Sequence, residues 1–162
     1  MSRGLGDVYK RQFIVFTAIS LSVLADDKQE VLQFFNNYVK AANTYSTTIP
    51  DMYSPSAKII RQVVKPDGTT QDVQTNTSTY ITQMKLGQAG AKIRHYTNTY
   101  TNVSVTPVSN GKYKISSLRQ PSGESYKLKT YMIVQKQPNG KWLIVEEMMQ
   151  TKVQTFLKYA KN

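Results

Sequence analysis

The sequence predicts an α+β domain in which helices pack on one face of a curved antiparallel sheet. Two observations carry this reading. In the first half, apolar residues at helical spacing over 31–42 and 80–84 flank a strand-like stretch at 57–75. In the second half, strand-like segments are separated by three turn signals, Ser109-Asn110-Gly111-Lys112, Gln120-Pro121-Ser122-Gly123 and Gln137-Pro138-Asn139-Gly140, which make an antiparallel meander. The 162 residues fit one domain, with no internal repeat or low-complexity segment.

Each element has its own signal. Asp27-x-x-Glu30 reads as a capping box opening a helix that runs to about Asn43. Val31, Leu32, Phe34, Phe35, Tyr38, Val39 and Ala42 form its apolar stripe. Pro50 and Pro55 punctuate the next stretch, which is expected to hold one short helical turn and a bend. Ile59, Ile60, Val63 and Val64 supply a strand, and Lys65-Pro66-Asp67-Gly68 turns it into a hairpin. A second helix is expected over 76–90, capped by a Thr or Ser and ended by Gly87 or Gly90. Strands follow at about 91–106, 112–119, 125–137 and 141–149. Val153, Phe156, Leu157 and Ala160 have the spacing of a short amphipathic helix that covers the domain. The alternative for that helix is a contact with a second subunit or with an anionic membrane surface.

The N-terminus reads as a leader. Phe13–Ala25, FIVFTAISLSVLA, has the length of a secretory signal peptide's apolar region and is too short to span a bilayer comfortably. DDKQE follows at once, placing cleavage after Ala25. Residues 1–12, MSRGLGDVYKRQ, fit poorly as a natural leader start and resemble an assembly scar. The single domain is therefore assigned to 26–162, and the protein is expected in the periplasm or outside a bacterial cell.

Composition removes several chemistries. With no cysteine, thiol nucleophiles, iron–sulfur clusters, cysteine-ligated zinc and lipoprotein acylation are excluded. One histidine excludes a multi-histidine metal site within the chain. No cofactor and no metal are expected. No G-x-G-x-x-G, P-loop, G-x-S-x-G or H-E-x-x-H motif occurs. Arg3, Lys10, Arg11 and Asp7 lie in the leader, so residues 26–162 hold 18 Lys and Arg against 9 Asp and Glu, a net charge of about +9. That charge favours an anionic partner. The eleven tyrosines fit strand propensity, and no nucleic-acid partner is expected for an exported chain.

The element order, with VLQFFNNYVKAAN as first helix and NGKWLIVEE as a late turn entering a strand, resembles the nuclear transport factor 2-like superfamily, SnoaL-like proteins and ketosteroid isomerase included. Trp142 sits where such proteins often carry a tryptophan, and the resemblance covers residues 27–150. It implies a cystatin-like cone, a strongly bent sheet wrapped around helices and a pocket, and often a homodimer formed through the outer sheet face. Fold alone does not give activity. In the isomerases of this group a tyrosine on the first helix donates to an oxyanion, beside a carboxylate base and a protonated acid. Carried onto this chain, the tyrosine falls at Tyr38, the base near Arg61 and the second acid near Met132. Neither Arg61 nor Met132 can do an acid's work, so isomerase chemistry of that kind is not expected.

His95 is the remaining acid–base candidate. On a strand over 91–106 it shares a face with Ile93, Thr97, Thr99, Thr101, Val103 and Val105, the less polar set, which is placed toward the pocket. A bulge would reverse that parity part way along. Glu146 or Glu147 could reach a neighbouring strand, one facing in and one out. His95, Tyr38 and Glu146 are carried as catalytic candidates, and Phe35, Tyr38, Tyr45, His95 and Met132 as the pocket lining. The favoured function is a non-enzymatic exported domain that binds a small hydrophobic, lipid-like or anionic amphiphilic ligand. The alternatives are a SnoaL-like isomerase, cyclase or hydrolase acting on a hydrophobic substrate, and an assembly subunit.

Overall fold

A computed structural model describes residues 5–160, with side chains described from residue 23 onward. The leader assignment falls largely on the rest: residues 1–4 lie outside the described residues, as do the side chains of 5–22. Helix α1 spans Leu5–Asn43. A 3-10 turn at Ile49–Met52 leads into β1 (Tyr53–Val64) and β2 (Thr70–Asn76). Helix α2 covers Thr77–Ile93, followed by β3 (Asn98–Val108), β4 (Lys112–Pro121), β5 (Leu128–Lys136) and β6 (Trp142–Thr151). A second 3-10 turn, Gln154–Tyr159, stands where the amphipathic C-terminal helix was expected.

The helix does not begin at Asp27. It runs through that position without a break, so Asp27 and Glu30 cannot form a capping box. Both acids turn to the sheet instead. Lys136 Nζ lies 2.8 Å from Glu30 Oε2 and 3.6 Å from Asp27 Oδ1, and Trp142 Nε1 donates to Glu30 Oε2 at 2.8 Å. Of the apolar stripe, Val31, Phe35 and Tyr38 are buried, while Leu32 is exposed. These three share one face, one and two turns apart.

The six strands form one sheet in the order β2-β1-β6-β5-β4-β3. All neighbours are antiparallel except β1 and β6, which are parallel. That single parallel pair departs from the all-antiparallel expectation. Its cause is the connection through α2, which carries the chain from one edge strand to the other; the meander β3–β6 then returns to β1 from the far side. At the β1–β2 turn, Gly68 takes φ +83° and Asp67 Oδ1 accepts from the Thr69 amide at 2.9 Å. Asn76, rather than a Thr or Ser, caps α2 by accepting from the Thr79 amide at 2.8 Å. Thr77 Oγ1 donates to the Ala57 carbonyl at 2.8 Å and fixes the start of α2 to β1.

Irregularities curl the sheet. Register breaks occur in β1 between Tyr53 and Lys58, in β3 between Thr101 and Ser104, and between Ile133 and Val134 of β5, opposite Val145 of β6. Each break bends its strand and adds twist. The sheet stays open and curls around α1, enclosing a core that includes Phe35, Tyr53, Ile59, Tyr113, Met132, Val134, Trp142 and Ile144. Alternation is clean in β4, where Tyr113, Ile115, Ser117 and Arg119 all turn inward.

Candidate functional site

One inward-facing carboxylate organises the interior. Glu147 on β6 is fully buried, at 0 % exposure. Its Oε1 accepts from Arg61 Nη1 of β1 at 3.0 Å, and its Oε2 accepts a short hydrogen bond from Tyr53 Oη. The register explains the pairing, because Arg61 and Glu147 sit on adjacent parallel strands, two residues apart along the ladder. Tyr53 Oη also stands 3.5 Å from both Tyr38 Oη on α1 and Tyr80 Oη on α2. The Arg61 guanidinium lies over the Tyr80 ring, 4.6 Å from its centroid.

Burial, reinforced by the charge of Glu147, pushes the Tyr38 and Tyr53 hydroxyls well above the ordinary tyrosine range. The same two causes raise Tyr80. These phenols therefore stay neutral, and Tyr53 donates its proton to the hydrogen bond with Glu147. At Arg61, burial works against the charge, but Tyr80 and Glu147 outweigh it and hold the guanidinium protonated. Both oxygens of the carboxylate are thus occupied, one by a cation and one by a phenol.

In front of this network lies a cavity of about 300 Å³ between α1, α2 and the sheet. Its aromatic wall includes Tyr38, Tyr45, Tyr80, Tyr100 and Phe156, with Met84 and Met149 beside them. Two charged side chains, Arg61 and Arg119, reach its surface. Arg119 on β4 is 7 % exposed and donates from Nη1 to Asn98 Oδ1 (2.8 Å) and Tyr96 Oη (3.2 Å), and from Nη2 to the Gln150 carbonyl (2.8 Å). Glu147 and Tyr53 are not part of the cavity lining and stand behind it. Among the described residues no group of three His, Asp or Glu side chains converges as a metal site would need.

The sequence-predicted residues are dispersed. Tyr38 and Tyr45 line the cavity. Phe35 and Met132 are buried core residues instead, with Phe35 packed edge-to-face on Tyr100 at 5.4 Å between centroids. His95 is not on a strand. Helix α2 continues three residues past Gly90, and His95 follows it as an exposed turn residue at φ +50°. It stands outside the cavity lining. The shift has a specific cause. The His95 amide bonds the Lys92 carbonyl at 3.1 Å and the Tyr96 amide bonds the Ala91 carbonyl at 2.9 Å, a Schellman ending that the strand reading overlooked.

The parity of β3 differs from expectation, and in β6 the inward acid is Glu147 rather than the candidate Glu146. In the first half of β3 the even residues face in, with Tyr100 toward the cavity and Thr99 exposed; after the break at 102–103 it is Val105 that turns inward. In β6 the bulge at Val145 brings Glu147 onto the same side as Ile144 and turns Glu146 away, where it accepts from Tyr131 Oη at 2.6 Å. Glu147 pairs directly with Met132 in the ladder. A carboxylate therefore does reach the position judged empty of acids, from the neighbouring strand. Arg119, Tyr53 and Tyr80 were missed. The alternation of β4 held the signal for Arg119, since it shares parity with Tyr113 and Ile115.

No family model and no curated protein matches the sequence. Solved structures do match in fold. A protein of unknown function with a cystatin-like fold from Nostoc punctiforme superimposes with a TM-score of 0.57 at 16% identity, covering 82% of this chain and 84% of that one. A nuclear transport factor 2-like protein of unknown function from Shewanella oneidensis gives 0.57 at 11% identity, over 77% of this chain and 99% of that one. A protein provisionally described as a scytalone dehydratase, from Novosphingobium aromaticivorans, gives 0.59 at 12% identity, over 80% and 86%. The fold is the nuclear transport factor 2-like, cystatin-like cone.

Proposed function

We propose that this protein is a non-enzymatic binding domain that holds a small, largely apolar ligand inside the cone. The observation that carries the reading is the state of Glu147. Its two oxygens are taken by Arg61 and Tyr53, and it lies behind the cavity wall rather than in it. A general base must stand within hydrogen-bond reach of the substrate proton, and Glu147, fully buried and absent from the cavity lining, has no surface there. The route outward is poor as well, because Tyr53 and Tyr38 stand 3.5 Å apart, at the limit of hydrogen bonding. The network acts as a rigid floor, and the aromatic and thioether wall is what a ligand would touch.

Size narrows the ligand. About 300 Å³ lies at the lower end of the ~300–1,000 Å³ usual for small-molecule pockets. That favours a compact molecule over a two-chain lipid. Export through the leader at 13–25 completes the proposal and rests on the sequence pattern. Native mass spectrometry of the gently purified full chain, with identification of any released molecule, tests the reading. A bound compact amphiphile supports it. Turnover that depends on Glu147 would overturn it in favour of an acid–base enzyme.

A further inference from the structure

We infer that Arg119 is the anchor for the carboxylate of a small organic acid whose apolar body fills the cavity. This inference rests on the cavity-binding reading and adds the ligand's chemical class. It begins with an incomplete hydrogen-bond inventory. A guanidinium has five N–H donors and cannot lose its charge at neutral pH. Three contacts engage Nη1 and Nη2 of Arg119, all with neutral acceptors. Its Nε is one of the buried polar side-chain atoms without a partner among the described residues. Burying an unmatched donor on a cation is costly, and such groups are almost always satisfied.

Charge points the same way. Glu147 neutralises Arg61, with the two groups 3.0 Å apart. Among the described residues no carboxylate lies within salt-bridge distance of Arg119. The cavity and its floor thus carry one uncompensated positive charge, on a side chain that is itself buried. Such a site selects a monoanion. A phosphate dianion would ask for a second cation, and the other arginine is already spent on Glu147.

Geometry selects the head group. The Nε edge of a guanidinium presents donors in the parallel pair that matches two carboxylate oxygens. The contacts of Nη1 with Asn98 and Tyr96 and of Nη2 with the Gln150 carbonyl fix the plane of the group before a ligand arrives. Around it, Tyr100, Tyr80, Met84 and Phe156 offer the apolar surface for a ring or a short chain. Benzoate is the simplest probe with both features.

The test is a titration of the ¹⁵N-labelled full chain with benzoate, benzyl alcohol and inorganic phosphate, following backbone amides and the Arg119 Nε–H signal. The expected result is that benzoate binds roughly 10- to 100-fold tighter than benzyl alcohol, the ratio a charge-assisted hydrogen bond confers. Only benzoate should move the Arg119 Nε–H signal. Arg119→Lys should lose about tenfold or more for benzoate and leave benzyl alcohol unchanged, because the charge remains while the fork is lost. Should that variant fail to fold, the wild-type ratio decides alone. Equal affinity for the acid and the alcohol would leave the cavity reading standing and remove the anchor. Phosphate moving the Arg119 signal as readily as benzoate would replace the carboxylate with an inorganic-anion subsite. Binding of neither aromatic probe would overturn both readings.

Discussion

Arg61 and Glu147 form the ion pair on which the interior of the cone is built, 3.0 Å apart on adjacent parallel strands with side-chain exposures of 13% and 0%. Such a pair need not add net stability, since desolvation offsets the attraction, but breaking it strands a charge. Glu147→Ala should destabilise by about 3–5 kcal/mol, read as a lower denaturant midpoint at unchanged slope. Replacing both partners, Arg61→Met with Glu147→Leu, should recover most of that loss. A double variant as unstable as the single one would show that the pair is not acting as a closed electrostatic unit.

The phenols around the pair make stability sensitive to alkali. The ordinary tyrosine value is 10.0, and Tyr38, Tyr53 and Tyr80 are all raised above it in the fold by burial and by Glu147. Their protonated forms are preferred when folded, so the unfolded chain binds fewer protons once pH passes 10. Stability is then fully present below that value and falls as pH rises toward the folded pKa values. Each tyrosine contributes a slope of about 1.4 kcal/mol per pH unit in that window. Tyr53→Phe should reduce the alkaline slope by about one such increment, measured by urea denaturation between pH 9 and 11 (approximate bounds set by the tyrosine value). An unchanged slope would mean that Tyr53 is not held neutral by the fold.

Much of this architecture was legible in the sequence, because turns and periodicity are local. The Pro66-Asp67-Gly68 turn, the meander turns and the stripe of Val31, Phe35 and Tyr38 declare themselves within a few residues. The site was less legible because it depends on bulges. One extra residue at Val145 decides that Glu147 rather than Glu146 faces inward, and nothing local in WLIVEEMM marks that residue. The same holds at 102–103 in β3. The parallel β1–β6 pairing, which brings Arg61 to Glu147, is a long-range contact that no spacing rule reaches. His95 was misplaced for another reason: its helix ends in a Schellman motif with a residue other than glycine, so the usual stop signal at Gly90 came too early.

That ending supports a stability prediction. His95 occupies the left-handed position after α2 at φ +50°, where glycine is usual. A side chain there costs about 1–2 kcal/mol. His95 is exposed and lies outside the cavity lining, so little packing is lost on removing it. His95→Gly should therefore raise the melting temperature, by the equivalent of about 1 kcal/mol, with ligand affinity unchanged. A drop in affinity would restore His95 to the site.

Tyr45 occupies the matching position after α1, and here the strain coincides with the cavity. Its φ is +58°, its amide bonds the Ala42 carbonyl at 3.2 Å, and the following Ser46 amide bonds the Ala41 carbonyl at 2.9 Å. Unlike His95, Tyr45 is half-buried and lines the cavity, and its carbonyl accepts from Gln88 of α2. Strain kept at a cavity-facing residue is expected where the side chain is used in binding. Tyr45→Gly relieves the backbone but removes a wall of the cavity. It should raise the melting temperature less than His95→Gly does, because the half-buried ring is lost, and it should weaken binding of an aromatic probe several-fold, by roughly the 0.5–1.5 kcal/mol of an aromatic contact. Parallel thermal melts and probe titrations of the two glycine variants measure both effects. Equal affinity in the two variants would leave Tyr45 as a helix ending alone, with the cavity closed by Tyr38, Tyr80 and Tyr100.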